Sequence, residues 1–254
     1  MSAAPRLTDP RIDCSPEEWA VRVDLAAAYR LVALHGWDDL IFTHLSARVP
    51  GSDHFLINPY GLLFEEIQAS NLVKIDVDGN KVDDSPHGVN PAGFTIHSAL
   101  HMSREDAHCV VHLHTVQGQG VSAQPGGLLP ITQTALQIHA DVAYHDFEGI
   151  AEDLDERERI VRDLGDKNAL ILRNHGTLTV GEAVADAWLR MYVLERACEA
   201  QIAAQAGGAP LEASRASAEK TAAIVKLGIA SIGRDLAWPA LMRRLDRVNP
   251  GYDA

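Results

Sequence analysis

The sequence predicts one α/β domain in which a mixed β-sheet is covered by helices. Segments with the alternating pattern of strands and segments with the periodicity of amphipathic helices follow each other along the chain. No low-complexity linker divides the 254 residues, and 46% of them are hydrophobic, which is enough for a sizeable core. No internal repeat of solenoid period is evident.

Composition limits the classes of partner. The chain has 22 Lys and Arg against 35 Asp and Glu, a net charge of −13, whereas nucleic-acid binding needs a basic face. The sequence shows no apolar run of about 18 residues and no secretory signal pattern. Its three cysteines, Cys14, Cys109 and Cys198, are odd in number and widely spaced. We therefore expect a soluble cytoplasmic protein that binds neither nucleic acid nor membrane.

The first predicted element is a helix. Residues 1–14 contain two prolines and no periodicity, so we expect an N-terminal arm, followed by a single domain over residues 15–254. Ser15 is suited to cap a helix whose first position is Pro16. The apolar periodicity ends at His35-Gly36-Trp37, where we place the end of the helix.

Two hairpins are predicted next. The strand-like segments at 41–49 and 54–58 are separated by a Pro-Gly-Ser-Asp turn at 50–53. The segment at 72–77 alternates apolar and polar residues, and the Asp-Gly-Asn sequence at 78–80 predicts a tight turn after it.

Helices and strands alternate in the rest of the chain. We predict a helix at 93–103, a buried strand at 107–115, a surface segment rich in Gly, Gln and Pro at 117–130, a strand at 141–144, a charged helix at 153–164, strands at 169–172 and 177–180, a long amphipathic helix at 182–206, a helix at 214–232 and a Trp-Pro-Ala-Leu tail.

A three-histidine metal site is the main functional hypothesis. In a strand, His112 and His114 project to the same face, where two imidazoles can hold one metal ion. His175 follows a second apolar segment and supplies a third ligand. A His-X-His pair alone is weak, because most such pairs bind nothing; the second histidine motif strengthens it. Three imidazoles accept zinc, manganese, cobalt or iron, and leave coordination positions open as catalytic sites do.

Three stretches resemble the class II aldolase/adducin family: Asn-Pro-Tyr-Gly-Leu-Leu-Phe-Glu-Glu-Ile-Gln-Ala-Ser-Asn-Leu-Val-Lys-Ile-Asp from Asn58, Ser-Arg-Glu-Asp-Ala-His-Cys-Val-Val-His-Leu-His from Ser103, and Arg-Asn-His-Gly from Arg173. The resemblance runs from about Glu17 to Gly207. It implies a three-layer α/β/α sandwich with a mixed, largely antiparallel sheet. It also implies one divalent ion per subunit, zinc before other metals, on the three histidines, and a homotetramer with active sites between subunits.

The family's phosphate pocket is only partly present. The resemblance places the carboxylic acid of sugar-phosphate members at Gly93, and their two hydroxyl residues at Pro91 and Ala92. The family's Gly-Asn turn corresponds to Thr43-His44, and the serine of its Ser-Gly turn to Tyr60, before a retained Gly61. The substrate-binding positions that we assign are Thr43, His44, Asn58, Tyr60, Gly61 and Gly93. Because phosphate binding needs several convergent donors, we predict a small unphosphorylated substrate.

We predict a metal-dependent carbon–carbon lyase, either a decarboxylase or a retro-aldolase. Its substrate would be a hydroxy or oxo acid, or a hydroxy-aromatic acid, cleaved through a metal-stabilised enolate. Absence of the acid at Gly93 slightly favours decarboxylation, which needs no base for a hydroxyl proton. Two alternatives stay open. One is a non-catalytic adducin-like interaction module, since residues 90–94 resemble the adducin branch. The other is a sugar-phosphate aldolase or epimerase.

Three residues are candidates for proton transfer. Tyr144 aligns with a tyrosine that acts across the subunit boundary in the aldolases, and its phenol would serve as an acid. Tyr252 lies near the C-terminus, where the family brings a tail tyrosine into the site. His101, one helical turn after His97, is a candidate proton relay. Each candidate also has a purely structural alternative. Tyr144 would be a half-buried tyrosine of the sheet, Tyr252 would lie in a frayed terminus, and His101 would lie on a helix surface.

Overall fold

The structure is a computed structural model that describes residues 14–149, 155–226 and 232–254. The predicted N-terminal arm therefore lies outside the described residues, apart from Cys14. The same is true of the first residues of the helix predicted at 153–164. Most of the last turn of the helix predicted at 214–232 is also outside them.

The described elements follow the predicted alternation closely. The helices are α1 Pro16–Leu34, α2 Pro91–Ser103, α3 Val116–Ser122, α4 Gln133–Ile138, α5 Glu156–Leu164, α6 Val184–Ala206, α7 Arg215–Lys226 and α8 Trp238–Val248. The strands are β1 His44–Arg48, β2 Phe55–Ile57, β3 Val73–Ile75, β4 Cys109–Leu113, β5 Val142–His145, β6 Ala169–Leu172 and β7 Gly176–Gly181. In α1 the Ser15 side chain accepts the Glu18 backbone N–H at 3.1 Å, so the predicted cap is present.

These strands form one mixed sheet in the order β3-β2-β1-β4-β7-β6-β5. Neighbouring strands are antiparallel except for β5 and β6, which run parallel. The sheet is therefore mixed and largely antiparallel, as predicted. No helix of the described ranges is long and apolar enough to cross a lipid bilayer.

Helices cover both faces of the sheet. On β4, Val111 points to the large core that contains the buried faces of α1, α6 and α8. Its neighbour Val110 points to the other face, where side chains of α2 and α5 pack, among them Leu100 and Ile160. This alternation is the ordinary consequence of strand geometry. It gives the three-layer α/β/α arrangement that the sequence resemblance implied.

The first part of the segment predicted as a surface segment at 117–130 forms helix α3, which ends at Ser122, and a further helix, α4, follows the segment. Thr115 caps α3 by accepting the Gly118 backbone N–H at 2.9 Å. Gly118 is buried, and a Cβ there would lie 2.7–3.0 Å from side-chain atoms of Thr115, Glu195 and Thr177. The glycine that indicated a loop therefore serves close packing of α3 against α6 and β7.

The C-terminal tail is also more ordered than predicted. The Trp-Pro-Ala-Leu sequence begins helix α8, with Pro in its first turn. Beyond it, the Arg30 guanidinium donates to the Pro250 carbonyl at 2.6 Å and to the Asn249 side chain at 2.9 Å. The Tyr252 carbonyl accepts the Ala69 backbone N–H at 2.8 Å. The last residues are thereby held against α1 and the segment before β3.

Candidate metal centre

Three histidines from two distant segments meet at one end of the sheet. His112 is the fourth residue of β4, His114 follows the strand, and His175 lies in the turn between β6 and β7. Each pair of their rings has a centroid separation of 4.8 Å. Their ligand nitrogens all lie within 4.8 Å of one another. The structure thus brings together the three metal-ligating residues that the sequence predicted.

The turn that carries His175 is shaped by its two neighbours. Asn174 adopts a φ of 54°, the left-handed region that asparagine tolerates better than most residues. At Gly176 a Cβ would lie 2.4 Å from the Leu113 carbonyl oxygen. Only glycine therefore lets β7 pass β4 closely enough to place His175 beside His112. The Asn-His-Gly sequence is the local cause of the histidine cluster.

Hydrogen bonds determine which ring nitrogen carries the proton in His112 and in His114. His112 Nδ1 lies 3.0 Å from the Thr177 carbonyl, which can only accept, so Nδ1 donates. His114 Nδ1 lies 3.3 Å from an Asp39 carboxylate oxygen and donates likewise. In neutral rings, both Nε2 atoms are then bare acceptors, yet they lie 3.0 Å apart. Two lone pairs repel at that distance unless a cation lies between them.

The electrostatics of the cluster suit a divalent ion. Burial lowers the pKa of His112 well below its ordinary value, and the nearby imidazoles lower it further. Burial also lowers the pKa of His114, and that of His175 to about 4, so all three are neutral at pH 7. Neutral imidazole is the form that binds metal. Zinc–nitrogen bonds of about 2.0–2.1 Å place two imidazole nitrogens roughly 3 Å apart, which matches His112 and His114.

The outer partners of the ligands were not predicted. Asp39 and the Thr177 carbonyl orient His114 and His112 in the manner of outer-shell groups at metal sites. Asp39 lies in a Trp-Asp-Asp-Leu sequence that carries no recognisable signal. Its role depends on the chain folding back to the end of β4.

Glu195 is a second residue that sequence analysis missed. It is fully buried on α6, where the Thr115 hydroxyl donates to one carboxylate oxygen and the Thr177 hydroxyl donates to the other at 2.7 Å. Burial raises its pKa to about 7, against the lowering effect of both hydroxyls. Glu195 continues the buried stripe of Met191 and Cys198, so helical periodicity was a usable signal.

One of the predicted substrate-binding residues, His44, lies beside the candidate ligand His112, and Thr43 precedes His44 in the chain. His44 is opposite His112 in the β1–β4 register, with ring centroids 5.5 Å apart. Both residues are buried, and within the described part of the chain the Thr43 hydroxyl and both His44 ring nitrogens have no hydrogen-bond partner. The Thr43 backbone lies near the His44 ring but makes no bond of good geometry with it. Unpartnered buried polar atoms are rare and call for an explanation.

The remaining predicted substrate-binding residues have different surroundings. Asn58 is buried, and its side-chain oxygen accepts the Tyr29 hydroxyl at 2.9 Å. Tyr60 is 42% exposed, and Gly61 follows it with a φ of 104°. Gly93 lies in the first turn of α2, Pro91–Ser103.

The three proton-transfer candidates are engaged elsewhere within their own chain. Tyr144 accepts the Leu128 backbone N–H at 3.1 Å. Tyr252 packs in the large core and donates to Asp246 at 2.7 Å. His101 is buried in α2, where its ring contacts Ser46 and not the three metal-ligating histidines. A role for either tyrosine needs a neighbouring subunit or the loss of these bonds.

Comparison with known proteins agrees with this geometry. Residues 23–202 match the family model described as "Class II Aldolase and Adducin N-terminal domain". The chain belongs to the class II aldolase and adducin family. A Caulobacter vibrioides protein, provisionally named an aldolase class 2 protein, is 58% identical over 94% of this chain and 93% of its own. Mouse alpha-adducin is 49% identical over 75% of this chain, which spans 27% of that protein.

Solved structures in this family share the fold. An aldolase II superfamily protein from Pseudomonas syringae has a TM-score of 0.93 and 51% identity, covering 97% of this chain and 100% of its own. The L-fuculose 1-phosphate aldolase of Glaciozyma antarctica has a TM-score of 0.80 and 28% identity, with 92% of both chains covered. The class II aldolase fold and the family predicted from the sequence are therefore confirmed.

Proposed function

We propose that this protein is a divalent-metal-dependent carbon–carbon lyase acting on an unphosphorylated hydroxy or oxo acid, or a hydroxy-aromatic acid. The single observation that carries the proposal is the pair of bare Nε2 atoms of His112 and His114, held 3.0 Å apart. His112, His114 and His175 would hold the ion, zinc before manganese, cobalt or iron. When bound, it supplies Lewis-acid stabilisation of the negative charge that develops next to the broken bond.

The three candidate ligand rings are uncharged, and neighbouring groups of the chain hold two of them in position. The Thr177 carbonyl and Asp39 hold the ligand rings in one tautomer, so no reorientation is needed on binding. The surrounding histidines are neutral because they are buried. A neutral, desolvated site strengthens the attraction between a cation and an acidic substrate.

The incomplete phosphate pocket supports an unphosphorylated substrate. Where the resemblance implies a serine, Tyr60 presents a half-exposed ring, and where it implies two hydroxyl residues, the sequence has proline and alanine. Fewer donors remain for a dianion. Absence of the family's acid at Gly93 slightly favours decarboxylation over retro-aldol cleavage, the other reaction type of the proposal.

The proposal includes a homotetramer with active sites between subunits. In that assembly Tyr144 of a neighbouring subunit would act as the acid, with Tyr252 as the second candidate. The Arg173 guanidinium carbon lies 4.2 Å from the Tyr144 ring centroid, a cation–π contact that holds the aromatic ring in place. The buried thiols of Cys109 and Cys198 are free, which supports the proposed cytoplasmic location.

Metal analysis tests the proposal. We expect the purified protein to bind one zinc or manganese per chain and the His112→Ala, His114→Ala double variant to bind none. His108→Ala is the matched control, because His108 is exposed just before β4 and outside the cluster. Substrate profiling follows: free hydroxy and oxo acids should be cleaved faster than sugar phosphates. Faster turnover of sugar phosphates would instead support the sugar-phosphate aldolase reading, which the Glaciozyma structure makes the nearest enzymatic rival.

A non-catalytic interaction module is the second candidate function, favoured by the 49% identity to mouse alpha-adducin. In that case the histidines would serve no metal. Absence of stoichiometric metal, together with unchanged stability in the double variant, would favour the module over the lyase.

A further inference from the structure

A line of buried polar groups runs from helix α2 to the metal ligands. The Ser46 hydroxyl lies 2.7 Å from His101 Nε2 and 2.6 Å from His97 Nδ1. The His97 ring lies 4.4 Å from that of His44, and His44 is the residue opposite His112. All four members of this line are buried. None of them belongs to the three-histidine group itself.

The hydrogen bonds along this line all run in one direction, which is determined by the backbone carbonyl that His101 contacts. His101 Nδ1 lies 2.6 Å from the Ala107 carbonyl, which only accepts, so Nδ1 is the donor. The neutral His101 ring then offers Nε2 as an acceptor, and Ser46 donates its one hydroxyl proton there. Ser46 oxygen must in turn accept from His97 Nδ1. It follows that His97 Nε2 is a bare acceptor.

Neutrality of the rings follows from their burial. Burial lowers the pKa of His101 to about 3 and that of His97 well below its ordinary value. Each ring therefore carries one N–H at pH 7, so each has one donor nitrogen and one acceptor nitrogen.

The end of the line nearest the candidate metal ligands contains ring nitrogens without hydrogen-bond partners in the described ranges. Among the residues that the structure describes, His97 Nε2 has no hydrogen-bond partner, and neither nitrogen of His44 has one. A bare acceptor on His97 and an unpaired N–H on His44 thus lie in two adjacent rings, whose centroids are 4.4 Å apart. A small rotation of the His44 ring would pair them. The other His44 nitrogen would then be left as an acceptor in a ring whose centroid lies 5.5 Å from that of the candidate ligand His112.

We propose that the line from Ala107 to His44 makes His44 a fixed hydrogen-bond acceptor beside the metal, which selects substrates carrying a neutral hydroxyl group at that position. The inference rests on the proposed function and narrows its substrate class. A hydroxyl donates to a bare imidazole nitrogen, whereas a carboxylate or phosphate oxygen meets lone-pair repulsion there. His44 is the residue that contacts substrate, and His97, Ser46 and His101 position it.

The polarity itself is tested first, by nitrogen NMR of the imidazoles in the zinc-loaded protein. We expect His101 and His97 to be protonated on Nδ1 and bare on Nε2. In Ser46→Ala, the constraint on His97 is removed, so His97 should show the other tautomer or a mixture. Ser103→Ala is the matched control, because that hydroxyl donates to the Leu100 carbonyl at 3.3 Å, within its own helix. In this control variant the tautomers of His97 and His101 should be those of the wild type.

Selectivity is tested by calorimetry with two probes that differ by one hydroxyl group, pyruvate and hydroxypyruvate. One net hydrogen bond predicts that hydroxypyruvate binds the zinc-loaded protein about three- to tenfold more tightly. His44→Phe should abolish this preference, so that the two probes bind with equal affinity, while zinc content stays unchanged. His97→Phe should reduce the preference, since it removes the partner of His44. Ser103→Ala should retain it.

The outcomes separate this inference from the proposed function. Equal affinities for the two probes, or His97 protonated on Nε2, would overturn the inference while zinc and pyruvate binding left the lyase standing. X-ray absorption showing four imidazole ligands would also overturn it, because His44 would then be a ligand. If zinc and pyruvate both failed to bind, the proposed function would fall, whatever tautomers were seen.

Discussion

Replacing Glu195 by glutamine should remove a pH dependence of stability that originates in one buried carboxyl. Glu195 is fully buried, and its two oxygens receive the hydroxyls of Thr115 and Thr177. Glutamine keeps the shape of the protonated acid and never ionises. The comparison of wild type with Glu195→Gln therefore isolates the cost of charging this group.

The magnitude follows from linkage. Burial raises the pKa of Glu195 from 4.5 to about 7, so between these values the folded state holds a proton that the unfolded chain has lost. The contribution of Glu195 to stability is therefore greatest below pH 4.5, is lost as pH rises towards 7, and is constant above. At roughly 1.4 kcal/mol per pH unit, the loss between about pH 5 and pH 8 is about 2–3 kcal/mol.

Urea denaturation followed by circular dichroism measures this effect. The protein should be metal-free and held at one concentration, since metal and assembly both change apparent stability. The free energy of unfolding of Glu195→Gln minus that of wild type should rise by about 2–3 kcal/mol from about pH 5 to pH 8. Histidine titration contributes equally to the free energy of unfolding of both proteins, so this contribution cancels in the difference. A difference that stays constant with pH would refute the reasoning.

Three further predictions concern the metal centre. Gly176→Ala should destabilise the protein by about 2–3 kcal/mol in urea denaturation, because its Cβ would lie 2.4 Å from a backbone oxygen of β4, whereas Gly88→Ala, with open space around it, should have little effect. Asp39→Ala should weaken zinc binding about tenfold to a hundredfold in a chelator competition, through loss of its bond to His114; unchanged affinity would contradict an orienting role. Tyr144→Phe should lower turnover about a hundredfold with metal content unchanged, and equal activity would remove Tyr144 from the mechanism.

The candidate metal ligands show what a sequence pattern over a few residues can predict. Strand alternation placed His112 and His114 on one face, and the structure confirms it. Two strand-like segments around a turn predicted the hairpin of β1 and β2, and a short apolar run predicted the strand β6 with its observed bounds. These features depend on neighbours within a few residues, which a sequence displays directly.

The segment at 117–130 shows where pattern fails. Its glycines indicated a loop, yet Gly118 is buried in helix α3 against Glu195. Whether a glycine breaks a helix or allows close packing depends on what lies against it. That neighbour is about eighty residues away in the chain, and local reasoning could not supply it.

The sequence by itself determined the order of helices and strands, the α/β class and the identity of the three candidate ligands, because periodicity and motif spacing are local properties. The tertiary structure alone decided that His175 lies beside His112, that Asp39 orients His114, and that Tyr252 donates to Asp246. It also set the direction of the hydrogen bonds that end at His97. These are contacts between distant segments, fixed only when strands pair and burial forces each polar atom to find a partner.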